Sequence, residues 1–376
     1  MKHNDFGSNI NEEPEDIILY RPGDYKLGDV ESARIVGPKV VAIGGGTGLS
    51  TLLKGLKECT ENITAIVAVS DDGGGSGVLR SEMGILPPGD IRNCIMALAN
   101  VEPLMSQVIS YRFTEGSLTG QSFGNLFLAA LCRICGSFDE AVKRMSDVLA
   151  ITGRVLPVTT ADVNLEVEFE NGIKVIGESK IFHIKKQQKS RIKQVRLIPE
   201  NSEPIPEVIE AISEADMIVL GPGSLYTSII PNLLVNGVGE TIAKSKAVKV
   251  YVCNVMTQEG ETEDYTAFDH VKSIFQHSND MLFDICLVNT GPVAKHLVIN
   301  YDKEGAGPTV IDRDQFDAIG IELIERHLIG EGEKLARHDP RVLATELMAI
   351  HARKNPRPGL YGRYDRLMVD WLRKNT

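Results

Sequence analysis

A run of glycines between a buried strand and an amphipathic helix constrains this chain more than any other feature. Residues 40–43 are apolar on both faces, which predicts a strand buried in a sheet. The glycine loop 44–48 follows, and leucines then recur at helical spacing over residues 49–57. A second apolar run at residues 63–69 completes a strand–loop–helix–strand unit. Such a unit closes as a right-handed parallel crossover, so the chain is predicted to adopt an α/β fold.

Three later apolar runs extend this pattern, and one segment departs from it. Residues 217–220, 248–252 and 285–288 each stop at residues that turn sharply, as buried strands of a parallel sheet do. Between residues 155 and 198, apolar and polar residues instead alternate on both sides of Asn171-Gly172. This is the pattern of a β-hairpin, because both turn residues accept a positive φ. We therefore predict a doubly wound, mostly parallel sheet with an antiparallel hairpin insertion at about residues 155–198.

Composition limits the classes of protein to consider. The chain has 376 residues, with 40 Lys+Arg against 51 Asp+Glu and a formal net charge of −11. This acid excess argues against a nucleic-acid partner, because such affinity comes from cations that neutralise phosphates. No apolar run approaches the ~18 residues of a membrane span, and six cysteines are too sparse for a disulfide scaffold. A cytoplasmic protein without a transmembrane segment is expected.

Charge divides the chain into three parts. Residues 1–38 hold 8 acids and 4 bases and are predicted to be an acidic, loosely ordered N-terminal extension. Residues 39–345 contain the predicted α/β domain. Residues 346–376 are predicted to be a basic C-terminal tail, since residues 351–376 hold seven Lys or Arg against two Asp. Such a tail could dock on the acidic body, on a neighbouring subunit of the expected homo-oligomer, or on an anionic membrane surface.

Two strand–loop–helix junctions are candidates for binding phosphate. Glycines let the backbone approach a ligand, and a helix N-terminus offers free N–H groups and a positive dipole end. The first junction is not a Walker A loop, since no Gly-Lys-Ser/Thr follows, and its Gly-x-Gly-x-Gly spacing departs from the dinucleotide fingerprint. The alternative is a merely tight turn. The predicted binding residues are Gly45, Gly46, Thr47 and Gly48 in the first loop and Gly221, Gly223, Ser224, Thr227 and Ser228 in the second.

Paired acids follow the second predicted strand, in the sequence SDDGGGSG at residues 70–77. One of the carboxylates of Asp71 and Asp72 could bind ribose or Mg²⁺, while the other acts as a base or orients a substrate. Ser76 lies in the same loop. The alternative is a solvated turn, because Asp and Gly are common in turns. Ligands of open α/β sheets bind beyond the carboxyl ends of the strands, which favours a functional loop.

Polar residues at other helix and strand ends complete the set of candidate ligand contacts. Asp90 is predicted to be the N-cap of a helix, with Asn93 in the first turn. Ser122 and Asn125 stand where an apolar helix begins, and they either cap that helix or face a ligand. Asn254 follows an apolar strand and either reads a base or a sugar hydroxyl or forms a turn.

Together the motifs resemble the gluconeogenesis factor family (YvcK-like), a branch of the superfamily that also contains the phospholactate transferase CofD. The resemblance spans about residues 39–340 and rests on VAIGGGTGL at 41–49, SDDGGGSG at 70–77, PPGDIRN at 87–93, GPGSLYTSIIPN at 221–232 and CNVMTQ at 253–258. It implies a Rossmann-like, three-layer fold and a cytoplasmic bacterial protein with a role in cell shape during gluconeogenic growth. It also implies a UDP-sugar ligand, with UDP-N-acetylglucosamine as the ligand of the family.

The resemblance also assigns roles to residues. It places Tyr301 and Arg337 where contacts with uridine diphosphate are expected, Tyr301 as a stacking or hydroxyl contact and Arg337 as a diphosphate partner. Transferase relatives use the aspartates after their second strand, with magnesium, to move a phospho-lactyl group from a nucleotide diphosphate donor. Asp71 and Asp72 occupy those positions here. The glycines at 73–75 depart from the Gly-Asp-Asp setting of the transferases, which argues against retained transferase chemistry.

Three functional hypotheses follow. The leading one is a nucleotide-sugar-binding regulator whose ligand diphosphate lies across the two glycine loops. The second is a Mg²⁺-dependent transferase of a phosphorus-containing group, with Asp71 and Asp72 as catalytic and metal-binding residues. The third is an NAD(P)-binding protein, because the first crossover by itself would also accept a dinucleotide. The first two hypotheses both need phosphate-binding loops, so the linear pattern separates them poorly.

Overall fold

The strands of the protein form two sheets. The computed structural model describes residues 27–188, 190–278, 280–330 and 335–375. One sheet has seven strands, which are β1 (Val40–Gly44), β2 (Ile63–Val67), β3 (Arg154–Pro157), β7 (Met217–Leu220), β8 (Val248–Val252), β9 (Ile285–Asn289) and β10 (Glu322–Arg326). The other sheet has three strands, which are β4 (Asn164–Phe169), β5 (Lys174–Ile176) and β6 (Ile192–Ile198).

Helices connect the strands and surround the larger sheet. Those before the small sheet are α1 (Leu27–Ile35), α2 (Gly46–Leu56), α3 (Gly74–Met83), α4 (Gly89–Leu98), α5 (Pro103–Ser110), α6 (Phe123–Cys135) and α7 (Phe138–Val148). The rest are α8 (Glu178–Gln188), α9 (Pro206–Glu214), α10 (Ile230–Leu233), α11 (Val238–Lys244), α12 (Ala267–Ser278), α13 (Lys295–Lys303), α14 (Arg313–Ile319), α15 (Pro340–Lys354) and α16 (Gly359–Asn375). A 3₁₀ turn covers Gly116–Leu118, and a π-helical turn covers Leu225–Ile229.

The larger sheet is parallel throughout, in the order β10-β9-β8-β7-β1-β2-β3. The predicted α/β fold with a mostly parallel sheet is therefore confirmed. Every residue of β1, β2 and β7 is buried, because helices cover both faces of the sheet. The chain builds outward from β1 to β3 and then returns to place β7 on the other side of β1. The loops after β1 and β7 therefore lie next to each other at the switch point of the sheet, where α/β proteins bind ligands.

The antiparallel insertion is present but begins later than predicted. Residues 154–157 form β3, which pairs in parallel with β2 as the edge strand of the larger sheet, so the predicted start at residue 155 is wrong. The antiparallel sheet starts at β4 and has the order β5-β4-β6. The hairpin at Asn171-Gly172 is confirmed, with Gly172 at φ +83° between β4 and β5. The short apolar run of β3 is compatible with a parallel or an antiparallel strand. Only the strand that lies next to it in space decides which pairing forms.

The predicted C-terminal tail is part of the folded body. Helix α15 packs against α2, and α16 packs against both α15 and α1. Residues such as Leu367, Met368 and Leu372 are buried on one face of α16, which explains why this basic segment docks. Residues 27–35 form α1, so the prediction of a loosely ordered extension is wrong there, and residues 1–26 lie outside the described residues.

No helix among the described residues is long and apolar enough to cross a membrane.

Candidate functional site

A cleft of about 440 Å³ opens at the switch point of the sheet, beyond the carboxyl ends of β1, β7 and β8. It brings together ten of the residues predicted to bind a ligand, which are Gly45, Gly46, Thr47, Gly48, Gly223, Ser224, Ser228, Asn254, Tyr301 and Arg337. The remaining lining residues are Thr51, Pro222, Val255, Met256, Thr257, Gln258, Glu259, Glu304, Ala306, Ala336 and His338. Residues as far apart in the chain as Gly45 and His338 thus meet around one space.

The first wall of the cleft is the start of α2. Gly45 is the N-cap and has extended backbone, while Gly46 has φ +63°, a conformation that favours glycine. No side chain caps this helix through Gly45. A helix leaves its first N–H groups without intrahelical partners. The backbone of α2 therefore offers donors and a positive dipole end to an anion in the cleft.

The second wall is the loop after β7, and it touches the first. A Cβ atom on Gly48 would lie 2.5 Å from the carbonyl oxygen of Pro222, so only glycine fits at this approach. Gly221 has φ +77° and precedes a cis bond to Pro222. The two glycine loops are therefore held side by side, as one extended surface for a ligand with two anionic groups.

Asn254 holds the second loop in place. Its Oδ1 accepts a hydrogen bond from Gly223 N–H at 3.2 Å, and its Nδ2 donates to the Gly223 carbonyl at 2.8 Å. The amide thus supports the loop through both of its ends. Its second N–H is not used by these two hydrogen bonds, and the role of Asn254 in reading a base or sugar stays a prediction. Ser224 Oγ likewise donates to Gln258 Oε1 at 2.8 Å.

Two predicted residues of this loop stay outside the cleft lining. Thr227 donates to Glu261 Oε1 at 2.9 Å and is buried. Glu261 also accepts from Tyr226 N–H at 3.2 Å, so this carboxylate ties the π-helical turn to the segment after β8. Gly221 lies beneath the loop, where its added Cβ would meet the side chain of Ile229 at 3.0 Å.

The third wall carries Tyr301, Arg337 and His338. Arg337 is the only lysine or arginine that the described residues contribute to the lining, and its side chain is exposed. His338 is buried, hydrogen-bonds the backbone of Cys253, and leaves Nε2 without a partner among the described residues. Burial lowers the pKa of His338 to about 4, so the ring is neutral at pH 7. Its unpaired nitrogen then suits a donor group of a ligand.

Asp90 lies directly behind the first glycine loop. Helix α4 begins at Gly89 with Pro88 as its N-cap, so the prediction of Asp90 as the cap is wrong. The carboxyl instead accepts a hydrogen bond from Gly46 N–H, and a Cβ on Gly45 would lie 2.6 Å from Asp90 Oδ2. Burial and the nearby Asp71 carboxylate raise the pKa of Asp90 to about 6. Phosphate binding in front of Asp90 would favour its protonated form further.

Asp71 and Asp72 do not form a preformed metal pair. Asp71 Oδ1 accepts from Gly73 N–H at 2.8 Å, and its carboxylate also hydrogen-bonds Ser76. Asp72 Oδ1 accepts from Ser179 N–H at 2.7 Å, in the first turn of α8. No group of three His, Cys, Asp or Glu is arranged to hold a metal within the described parts of the chain. Asp71 and Asp72 are therefore each held through one oxygen by a different segment, and Mg²⁺ binding by these carboxylates stays a prediction.

Three other residues predicted to contact a ligand, Asn93, Ser122 and Asn125, lie outside the cleft lining. Arg92 Nη2 donates to Asn93 Oδ1 at 2.8 Å. Ser122 caps α6, with its Oγ accepting from Asn125 N–H at 3.2 Å, so the first of its two predicted roles is confirmed. Asn125 is buried, and its Oδ1 has no partner among the described residues. Asn93, Ser122 and Asn125 therefore stay predictions as ligand contacts, without support from the cleft.

The residues that sequence reasoning missed fall into two groups. Residues 255–259 directly follow Asn254 at the end of β8, so the rule that ligands bind beyond strand carboxyl ends could have found them. Thr51 stands one turn into α2 after the glycine loop. Glu304 and Ala306 come from the segment after α13, which no linear pattern connects to the cleft.

The buried acids make stability depend on pH in an unusual direction. The pKa of Asp90 is higher in the folded protein than in the unfolded chain, so the folded state binds more protons between about pH 4 and 6. Its contribution to the free energy of unfolding therefore falls as pH rises through this range, by about 3 kcal/mol for two pKa units. We expect the free energy of unfolding of Asp90→Asn to equal that of the wild type at pH 4 and to exceed it at pH 7. Urea unfolding at the two pH values measures this difference.

Asp317→Asn is the matched control, since it removes the same charge from an exposed position in α14. Its free energy of unfolding is expected to equal that of the wild type at both pH values. An Asp90→Asn variant that is less stable than the wild type at pH 7 would contradict the prediction.

Comparisons with known proteins place the chain in a family. Residues 40–329 match the model of the family described as 2-phospho-L-lactate transferase CofD. The gluconeogenesis factor of Bacillus subtilis is 49% identical over 314 residues, which cover 83% of this chain and 98% of that protein. A relative from Thermoanaerobacterium thermosulfurigenes is 54% identical over 318 residues, with 85% and 98% covered. A crystal structure of a UPF0052 family protein from Bacillus halodurans is 46% identical with a TM-score of 0.78, covering 83% of this chain and 97% of that one.

Proposed function

The chain belongs to the CofD family, among the gluconeogenesis factors, and we propose that it binds a nucleotide sugar of the UDP-N-acetylglucosamine type. Within this proposal the protein is a cytoplasmic regulator, needed for cell shape during gluconeogenic growth. The observation that carries the proposal is the contact between two glycine loops, each at the carboxyl end of a buried strand, in one cleft.

The cleft suits a diphosphate because the start of α2 and Arg337 give it a local positive potential. The start of α2 and the loop after β7 stand side by side in the cleft, so two linked phosphates would lie across them. Because Gly46 N–H already donates to Asp90 and Gly223 N–H to Asn254, the phosphates would use the remaining amides and the positive dipole end of α2. The lining also contains two acids, Glu259 and Glu304, against the single cation Arg337 among the described residues. An anionic ligand is thus held mainly by backbone dipoles and by Arg337, in agreement with the acidic net charge of the protein.

The third wall suits the nucleoside and the sugar. Tyr301 offers a ring for stacking and a hydroxyl, and the neutral His338 offers an acceptor nitrogen for an N–H or O–H donor. These groups are neutral, as expected for contacts with a base or sugar. The NAD(P) alternative has no comparable support, because the acids after β2, which would bind a ribose, already bond backbone amides.

Binding without turnover is favoured over transferase activity. A Mg²⁺-dependent transferase would draw metal ligands from the carboxylates after β2, and no group of three His, Cys, Asp or Glu that could hold a metal occurs among the described residues. Asp71 is partly buried, and burial raises its pKa. Transfer of a phosphorus-containing group remains the competing proposal, because the family model that matches is that of a transferase.

One experiment separates the two proposals. UDP-N-acetylglucosamine is titrated into the full chain by calorimetry with and without Mg²⁺, and mass spectrometry follows the ligand afterwards. Saturable binding with intact ligand supports the regulator. Ligand consumption in proportion to time and protein supports the transferase, and the absence of binding under both conditions contradicts the proposed ligand.

Arg337→Ala is expected to weaken binding of UDP-N-acetylglucosamine by about ten- to a hundred-fold. Charge-assisted hydrogen bonds are worth roughly 1.5–3 kcal/mol, and each 1.4 kcal/mol is a factor of ten in affinity. The affinity of Arg337→Lys is expected to lie between those of the wild type and Arg337→Ala, since a lysine keeps the charge but loses the planar pair of donors. The measurement is calorimetric titration together with thermal unfolding.

The control is Arg341→Ala, which removes the same charge from an exposed position on α15 outside the cleft lining. Equal affinity losses in Arg337→Ala and Arg341→Ala would show a general effect of charge and would remove Arg337 from the site.

A further inference from the structure

A second cavity, of about 430 Å³, lies between the small antiparallel sheet and α12. Residues 191–194, at the start of β6, form one wall, and residues of α12 between 269 and 277 form the other. Its lining shares no residue with the cleft beyond β1 and β7. Sites for small molecules usually have volumes of roughly 300–1,000 Å³, so this cavity is large enough for one.

His277 joins the two walls of this second cavity. Its Nε2 accepts a hydrogen bond from Val195 N–H in β6 at 2.9 Å, so its Nδ1 carries the proton and donates to the Ser273 carbonyl at 2.7 Å. Burial lowers the pKa of His277, which keeps the ring in this neutral form at pH 7. The cavity is therefore a preformed space between two elements that are bonded to each other.

Three buried residues that line the second cavity carry hydroxyl groups. Tyr226 OH lies 2.8 Å from Tyr265 OH and 3.1 Å from Ser273 Oγ. Burial raises the pKa of both tyrosines, so their hydroxyls are neutral at pH 7. Each hydroxyl has one hydrogen and two lone pairs, so the hydrogen bonds among the three leave lone pairs unused. These lone pairs suit hydroxyl groups of a ligand.

The cations of the second cavity favour an anionic group on that ligand. The guanidinium carbon of Arg191 lies 5.2 Å from the centre of the Tyr265 ring, and a guanidinium stacked on a ring keeps its N–H donors along its edge. Within the described parts of the chain, neither Arg191 nor Lys272 forms an ion pair, whereas Lys193 pairs with Glu168 at 2.6 Å. A phosphate monoester carries nearly two negative charges at pH 7, which matches these two cations.

The acids of the same cavity restrict the remainder of the ligand. Glu170 and Asp269 both belong to the lining. Asp269 accepts from Thr266 N–H through Oδ2 at 3.1 Å, and a carboxylate has a second oxygen for further donors. These carboxylates repel a polyanion such as nucleic acid and accept hydrogen bonds from hydroxyl groups. The lining therefore favours a small molecule with one phosphate and several hydroxyls.

We infer that this cavity is a second ligand site, which binds a sugar monophosphate. Arg191 and Lys272 bind the phosphate, and the carboxylates and tyrosine hydroxyls accept from the sugar. The inference does not rest on the proposed function, because the two sites have no lining residue in common. Tyr226 nevertheless lies between Ser224 and Ser228, which line the first cleft, so a ligand in the second site contacts the same loop.

Calorimetric titration of the full chain with glucose 1-phosphate, glucose 6-phosphate, fructose 6-phosphate, inorganic phosphate and glucose tests the inference. We expect saturable binding of at least one of the three esters, weaker binding of inorganic phosphate, which lacks the sugar hydroxyls, and no binding of glucose, which lacks the phosphate. The absence of binding by all three esters at millimolar concentration would overturn the inference. Equal affinities for the esters and inorganic phosphate would overturn it as well, since an adventitious anion contact would explain them.

Arg191→Ala is expected to weaken binding of the tightest ester by about ten- to a hundred-fold, because it removes charge-assisted hydrogen bonds to the phosphate. Arg191→Lys is expected to lose less affinity, since it keeps the charge. Lys246→Ala is the control, because it removes the same charge from an exposed position before β8, outside this cavity. Its affinity should equal that of the wild type, and equal losses in Arg191→Ala and Lys246→Ala would contradict the site.

Hydrogen exchange locates the ester without a variant. The amides of residues 191–195 and 266–277 are expected to exchange more slowly when the ester is bound, while those of residues 44–51 are unchanged. Protection of residues 44–51 alone would overturn the inference, because the ester would then occupy the first cleft. Titration with UDP-N-acetylglucosamine is a separate measurement, so the failure of one proposal is distinguishable from the failure of the other.

Discussion

Thr47→Glu is expected to reduce the affinity for UDP-N-acetylglucosamine at least a hundred-fold while the protein remains folded. Thr47 lies in the first turn of α2, lines the cleft and has an exposed side chain. A glutamate there would place a carboxylate beside the proposed diphosphate. At about 4 Å and an effective dielectric constant of about 20, two like charges repel by about 4 kcal/mol, which is more than the roughly 2.7 kcal/mol of a hundred-fold change.

The fold is expected to tolerate Thr47→Glu because acids are favourable at a helix N-terminus. The melting temperature of the variant should therefore equal or exceed that of the wild type. Lys54→Gln on the same helix changes the net charge by the same amount, at an exposed position that does not line the cleft. Calorimetric titration of the wild type and both variants gives the comparison. Wild-type affinity in Thr47→Glu would place the ligand away from the start of α2.

Gly55→Ala is expected to destabilise the protein by about 2 kcal/mol, although alanine is the better helix former. A Cβ atom on Gly55 would lie 1.8 Å from the carbonyl oxygen of Pro340 and 2.9 Å from Ala344 Cβ. Since the obstacle is the backbone of α15, the helix itself must move. Overpacking of this kind costs about 3 kcal/mol, and the gain in helix propensity offsets only about 1 kcal/mol.

Thermal and urea unfolding of Gly55→Ala measure this effect, with an expected drop in melting temperature of roughly 2–3 °C for a chain of this size. Gly28→Ala in α1 is the control of opposite sign. A Cβ on Gly28 would meet nothing within 4 Å, so only the propensity gain remains and stability should rise slightly. Equal responses of the two variants would show that α2 and α15 do not pack as described.

The two glycine loops were the most predictable part of the site. Strand–glycine–helix junctions are local features, because the apolar run, the turn and the helix are contiguous in the chain. The rule that ligands bind at the carboxyl ends of strands then predicts that the loops at 44–48 and 221–228 share one site. Arg337 and Tyr301 came from the family resemblance alone, since nothing in the linear pattern places them near those loops.

The acids show where sequence reasoning was least reliable. Asp71 and Asp72 are adjacent, and adjacency suggested a shared metal or a common role. In the structure their carboxylates bond to different backbone amides, Gly73 and Ser179, and the second lies in the insertion. Asp90 was predicted as a cap because it stands near a helix start, but its partner is Gly46 on another helix. The spacing of residues along the chain does not predict which distant backbone group a side chain will hydrogen-bond.

The sequence by itself determined the parallel α/β architecture and the two strand–glycine–helix junctions, because each depends on short-range periodicity and on glycines with few alternatives. Only the tertiary structure decided which strand lies next to which, as β3 at the sheet edge shows. It also decided that α15 and α16 dock on the body, and that His338 and Arg337 face the loop of residues 44–48. The physical reason is that burial and partner choice depend on what packs in space, whereas periodicity and turn chemistry act along the chain.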